Sequence, residues 1–109
     1  MSNAMLGLTF WEGHIVDSFS ERPDGSLVLK LTENPETPAR CNGCRQECVL
    51  VHERRRRLVR ERDWFDRRIW LDVPIRRMDC HHCGARVVEH ISWLDRRSRV
   101  TQRLRAWVE

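Results

Sequence analysis

Two Cys-x-x-Cys pairs, Cys41-Asn42-Gly43-Cys44 and Cys80-His81-His82-Cys83-Gly84, hold the side chains of this 109-residue sequence best suited to chemistry. Each pair can present two thiolates to one ion across a tight, glycine-containing turn. Four thiolates so spaced suit tetrahedral zinc, with Zn–S near ~2.3 Å. Neither pair closes easily on itself as a relaxed disulfide, and an intracellular chain with five cysteines fits a disulfide framework poorly. A redox Cys-x-x-Cys is the competing chemistry, but no βαβ pattern surrounds either pair. Cys48 is the odd cysteine, either an alternative fourth ligand or a small buried hydrophobe. His81 and His82 could displace Cys80 or Cys83. Four protein ligands leave no open position for water activation, so the expected Zn2+ holds structure and does no chemistry.

The 35 residues between Cys44 and Cys80 must bring the two pairs together. Val49 to Val59 and Arg67 to Ile75 read as strands; in the second, Ile69, Leu71, Val73 and Ile75 alternate with Arg68, Trp70 and Asp72. Pro74 cannot donate a ladder hydrogen bond, which predicts an edge or a bulge there. Ala85 to Ile91 is a further short strand. Upstream, His14 to Phe19 and Ser26 to Thr32 flank Glu21-Arg22-Pro23-Asp24-Gly25, a turn sequence that predicts a hairpin. From Ser98, taken as N-cap, Val100, Leu104, Trp107 and Val108 recur at helical spacing. The expected fold is mainly β with a C-terminal α-helix: a zinc-ribbon-like small antiparallel sheet preceded by a β-hairpin. The expected division is a tag scar at 1–4, the hairpin at 5–36, the ribbon at 37–94 and a truncated helical segment at 95–109. His14, His52 and His90 are expected as packing or surface residues. Trp64, Trp70, Trp93 and Trp107 are expected as core or interface anchors.

Charge is unevenly distributed. Residues 1–36 carry two basic and six acidic side chains, net −4, whereas residues 37–109 carry eighteen arginines against ten acids, net +8. Arginine dominance favours bidentate phosphate or base contacts. The densest run is Arg54-Arg55-Arg56-Arg57, followed by Arg76-Arg77 and by Arg99 and Arg103, which at i, i+4 would share the outer face of the terminal helix. These eight arginines are the expected DNA contacts. A strand turns successive side chains to opposite faces, so the four in the run cannot all line one surface. A solvated, solubilising face is the plain alternative, and the interleaved acids Glu53, Glu61, Asp63 and Asp66 support it. Asp63 and Asp66, flanking Trp64 and Phe65, read as a turn and not as a catalytic pair. Length excludes a catalytic multi-domain enzyme, and no phosphate loop or nucleophile elbow is visible. The sequence has no run of eighteen apolar residues and no secretory leader, so a cytoplasmic protein with no membrane or small-molecule partner is expected.

The stretch from Met5 to Glu109 resembles the N-terminal zinc-binding region of bacterial insertion-sequence transposases of the ISL-three type. The likeness lies in the leader Leu6-Gly7-Leu8, the acidic hairpin, Ala39-Arg40-Cys41-Asn42-Gly43-Cys44, the basic His52-Glu53-Arg54-Arg55-Arg56-Arg57, and Ile75-Arg76-Arg77-Met78-Asp79-Cys80 with Cys83. The resemblance implies Cys41, Cys44, Cys80 and Cys83 as zinc ligands. It also implies a helix-turn-helix beginning near Ser98 and a catalytic domain beyond this chain. The implied function is a non-catalytic module that helps recognise the terminal inverted repeats of the element, bound over the nucleoid. The alternative is a protein-interaction or homodimerisation domain built on sheet edges and exposed tryptophans.

Overall fold

The computed structural model describes residues 11–64, 66–95 and 97–108. The tag scar at 1–4, the Leu6-Gly7-Leu8 leader, Phe65, Arg96 and Glu109 lie outside the described residues. The chain forms β1 (His14–Glu21), β2 (Leu27–Glu33), β3 (Val51–Trp64), β4 (Arg67–Asp79) and β5 (Arg86–Val88). A short helix, α1 (Gln102–Val108), follows. It is mainly β with one C-terminal helix, as expected.

The β1–β2 hairpin closes where the turn residues require. The Asp24 carboxylate accepts from the Ser26 N–H and hydroxyl at 2.9 and 2.6 Å. Gly25 takes φ +87°, a conformation that costs glycine little. The strands β3, β4 and β5 are antiparallel, as a ribbon demands. The hairpin then joins the same sheet: β2 runs parallel to β4 from Leu27↔Ile69 to Lys30↔Asp72, giving the order β1-β2-β4-β3 and a mixed sheet.

This arrangement places β4 in the centre, and its register with β3 runs unbroken through Pro74, so neither the edge nor the bulge that Pro74 predicts is found. The proline is accommodated because β2 leaves β4 at Asp72 and β5 joins it only at Arg77. Pro74 therefore sits in the gap between two short neighbours on that side, where no ladder partner needs its missing N–H.

The alternation of β4 sets the core. Ile69, Leu71, Val73 and Ile75 share one face with Leu29, Leu31 and Val59, and Trp11, Ile91, Trp93 and Leu94 cover them. Each large apolar side chain buried here contributes about 1.5–3 kcal/mol. A second, smaller cluster at the other end of β4 joins Ala39, Cys41, Cys48, Met78 and Cys80, with Cys44 and Val87 against it.

The helix starts later than its spacing suggests. The Thr101 hydroxyl accepts from the Leu104 N–H at 3.1 Å and is the N-cap, while Ser98 closes a local turn on Val100. Thr101 wins because its hydroxyl also donates to the buried Glu61 carboxylate at 2.6 Å, so a tertiary contact fixes the cap. Arg99 consequently precedes the helix and does not share a helical face with Arg103. Trp107 is 57% exposed, with the Arg62 guanidinium 5.1 Å above its ring. Among the described residues, no helix is long and apolar enough to cross a membrane.

Candidate metal centre

Each cysteine pair forms the tip of a tight turn closed by an i+4 to i backbone bond, and the two tips have the same hydrogen-bond design. The Cys41 N–H donates to the Gln46 carbonyl and the Arg45 N–H to the Cys41 carbonyl, both at 2.9 Å. At the other tip the Cys80 N–H donates to the Ala85 carbonyl at 2.8 Å and the Gly84 N–H to the Cys80 carbonyl at 2.7 Å. The residue after each second cysteine must enter the left-handed region. Gly84 does so at φ +76°, whereas the first turn forces Arg45 to φ +65°. The first tip is held by the Cys48 N–H on the Ala39 carbonyl and the second by β4 and β5. A single Cys41↔Glu89 bridge and the His90 N–H on the Arg40 carbonyl join them.

The result is a cluster of four thiols. The Sγ atoms of Cys41 and Cys83 are 3.7 Å apart, those of Cys44 and Cys80 are 3.6 Å apart, and all four lie within 4.8 Å of one another. A tetrahedron with ~2.3 Å arms has edges of about 3.8 Å. The cluster therefore has the dimensions to hold a metal ion. Cys48 is outside it: its buried thiol donates to the Asp79 carbonyl at 3.2 Å. His81 and His82 are exposed and pack against each other with their rings tilted by 37° and their centroids 4.2 Å apart.

Electrostatics within the cluster are asymmetric. Backbone N–H groups, first that of Cys83 and then that of His82, hold the Cys80 thiol down at about 6. Cys41 is lowered for the same reason, chiefly by the Cys44 N–H and also by Gly43. The Gln46 N–H pulls Cys44 downward, but burial and the thiols of Cys80, Cys41 and Cys83 outweigh it, leaving Cys44 up at about 11. The Ala85 N–H acts likewise on Cys83, where Cys41, burial and Cys80 again win and raise the thiol. Four negative sulfurs cannot coexist at this distance without a cation. Capture of a divalent ion is expected to displace the protons kept on Cys44 and Cys83. The apparent affinity should then rise with pH by about one decade per unit for each proton released. Calorimetric titration in buffers of different ionisation enthalpy measures that release; affinity independent of pH between about 6.5 and 8.5 would contradict it.

The arginines expected to meet DNA fall into two groups. Arg54 pairs with Glu33 at 3.5 Å. Arg56 pairs with Asp72 at 2.7 Å and also donates to the Leu31 carbonyl at 2.6 Å. Arg76, only 12% exposed, grips Glu89 through two bonds of 2.9 and 2.8 Å, with Glu33 at 3.4 Å. Arg103 approaches Glu61 at 3.6 Å. Each of these four has a carboxylate partner within the fold, Arg54 while still largely exposed. Arg55, Arg57, Arg77 and Arg99 lie together around a depression of about 320 Å³ that Glu53, Arg56, Leu58, Ile75 and Val88 also line.

Sequence reasoning missed the role of Glu61. It is wholly buried and accepts from the Trp11 indole N–H at 2.8 Å, the Thr101 hydroxyl at 2.6 Å and the Arg62 N–H at 2.7 Å. A signal was present: Glu61 has the same strand parity as Val59, so a carboxylate on the core face had to find donors.

The chain is similar to part of a transposase. The transposase for insertion sequence element IS1001 of Bordetella parapertussis is 36% identical to it over 101 residues, which is 92% of this chain and 25% of the transposase. A match of that extent necessarily includes both cysteine pairs. This chain thus spans about a quarter of the length of the curated relative it matches. No protein-family model matches the sequence, and no solved structure matches the chain.

Proposed function

We propose that this chain is the non-catalytic zinc-binding module of an insertion-sequence transposase of the ISL-three type, and that it helps bind the terminal inverted repeats of the element. The observation that carries the reading is the 36% identity to a transposase along a stretch that takes in all four clustered thiols. The donor set favours zinc: four sulfurs at tetrahedral spacing suit a borderline-soft ion with no demand for open coordination. Cys41, Cys44, Cys80 and Cys83 would hold it and Zn2+ would supply structure, with catalysis in the remainder of a cytoplasmic parent protein. Residues 95–109 would open the helical segment that reads bases, while the ribbon adds affinity and register.

Binding of the zinc-loaded chain to duplex carrying element ends, followed by anisotropy across a salt series, tests the reading. Three phosphate contacts give a log–log slope near about −2.7 and on the order of 40-fold loss between ~50 and ~200 mM salt. Affinity indifferent to salt counts against phosphate contacts. An interaction-domain reading draws on one observation, the exposed Val49 and Leu50 beside the first thiol pair, at 77% and 55%. Self-association that survives high salt, with no DNA binding, is its signature.

A further inference from the structure

The register of the ribbon puts basic side chains on a face that the rest of the fold uses as core. Glu53 lies opposite Arg77, Arg55 opposite Ile75, Arg57 opposite Val73, and Arg77 opposite Val88. Residues opposite each other share a face, so Arg55, Arg57 and Arg77 stand on the same side of the sheet as Val73 and Ile75. Towards the β3–β4 turn that face is covered by Trp11 and the 91–94 segment. Towards the thiol cluster it emerges from under its cover. There it becomes a depression of about 320 Å³, floored by Ile75 and Val88 and walled by the arginines, with Arg99 reaching in from the covering segment.

Neutralisation in this depression is incomplete. One carboxylate, Glu53, serves both Arg55 at 3.2 Å and Arg77 at 3.7 Å. Among the described residues, Arg57 and Arg99 have no ion pair, and the hydrogen bond recorded for the Arg57 side chain is a long one to the Ser98 carbonyl at 3.4 Å. Burial first, and then the neighbouring charge of Arg99, lower the pKa of Arg57. The approach is also fixed: the Arg60 N–H donates to the Arg99 carbonyl at 2.8 Å and the Thr101 N–H to the Arg60 carbonyl at 3.0 Å. The segment carrying Arg99 is thereby pinned to β3 just before α1.

We propose that Arg55, Arg57, Arg77 and Arg99 form a phosphodiester-binding groove, in which the backbone of a DNA duplex supplies the counter-charge that the fold withholds. This rests on the DNA-binding reading above and narrows it to one face. Guanidinium forks match phosphate oxygens in pairs. Because Arg99 is tied to β3 immediately ahead of α1, a strand seated in the groove would also fix the position of that helix relative to the DNA. Arg54, Arg76 and Arg103 then serve the fold through their carboxylates and not the duplex, while Arg56, which also lines the depression, is held by Asp72.

The test uses the zinc-loaded 109-residue protein, a duplex oligonucleotide and two charge-matched double variants. Arg57→Gln/Arg99→Gln removes the groove's unpaired cations. Arg67→Gln/Arg86→Gln removes two exposed arginines outside the groove, paired with Glu21 and Asp79 respectively. The groove variant is expected to lose about 10-fold or more in affinity at ~100 mM salt and to flatten the salt slope by about two. The control should keep its slope and lose no more than about threefold, from the changed overall field. The groove variant's melting temperature should equal or exceed that of the parent, since a like-charge pair has gone. Equal losses from both variants, or an unaffected groove variant on a parent that binds DNA, would overturn the groove and leave the DNA reading intact. A folded, zinc-loaded parent with no affinity for any duplex overturns both. In a parallel arm at constant ionic strength, saturable binding of inorganic phosphate below about 1 mM, with no preference for duplex, would assign the groove to a free anion and overturn the proposal.

Discussion

Removing the metal, by chelation or through Cys80→Ser, is expected to unfold the thiol-bearing end of the molecule. The cluster there contains one large apolar side chain, Met78, beside Ala39 and the cysteines. Burial of a methionine contributes about 1.5–3 kcal/mol. Fixing each residue of the two turns costs about 1–2 kcal/mol of backbone entropy. An ion held by four thiolates supplies on the order of 10 kcal/mol or more, comparable with the roughly 5–15 kcal/mol net stability of a whole small domain. The apolar cluster cannot replace it. Amide dispersion and hydrogen-exchange protection should be lost across residues 39–50 and 78–90, and the melting temperature should fall by tens of degrees. Cys48→Ala separates metal binding from packing: its thiol bonds Asp79 and not the cluster, so this variant should retain one ion per chain and lose only about 1–2 kcal/mol. Metal-free protein with unchanged protection in both turns would sink the structural role assigned to the ion.

How far these features were legible in the sequence depends on whether each is encoded locally. The thiol pairs, the Pro23-Asp24-Gly25 turn and the alternation of Ile69, Leu71, Val73 and Ile75 are local patterns, and the structure places each as its pattern implies. The parallel seam between β2 and β4 has no local code, because residues 27–30 and 69–72 are joined only through the packing of both on one core. Pro74 misled for the same reason: a proline forbids a hydrogen bond on one side, but which strands occupy that side is a matter of topology. The helix start moved from Ser98 to Thr101 because capping preference alone does not distinguish the two. A buried partner for Thr101 decides it. Among the arginines, composition gave the excess of charge but not its distribution between internal pairs and open surface. Glu33, Glu53, Asp72 and Glu89 had to be seen beside Arg54, Arg55, Arg56, Arg76 and Arg77 before the paired cations could be told from Arg57 and Arg99.

Glu61→Ala is expected to cost about 3–5 kcal/mol, a drop on the order of 15–30 °C in melting temperature for a domain of this size. The carboxylate joins three parts of the chain that share no sheet ladder. It holds Trp11 ahead of β1, the Arg62 N–H within β3 and Thr101 at the start of α1. Removing it strands the Trp11 indole N–H and the Thr101 hydroxyl in a water-free interior, and each donor left unsatisfied costs about 1–3 kcal/mol. Glu61→Gln keeps the volume but offers an amide N–H where Trp11 already donates, so it should recover only part of the loss. Thr101→Val removes both the cap of α1 and one of the bonds to Glu61. In a double-mutant cycle with Glu61→Gln, a coupling of about 1 kcal/mol or more is expected, whereas additive effects would show that the helix start and the carboxylate are independent. Urea melts monitored by tryptophan fluorescence read both changes, because Trp11 is hydrogen-bonded to Glu61 and stacks on Trp64 at 5.7 Å. The outcome bears on the proposed groove as well: Thr101 and Arg99 flank one pinned loop, so loss of Glu61 should release Arg99 from its place in that groove while leaving the thiol cluster in place.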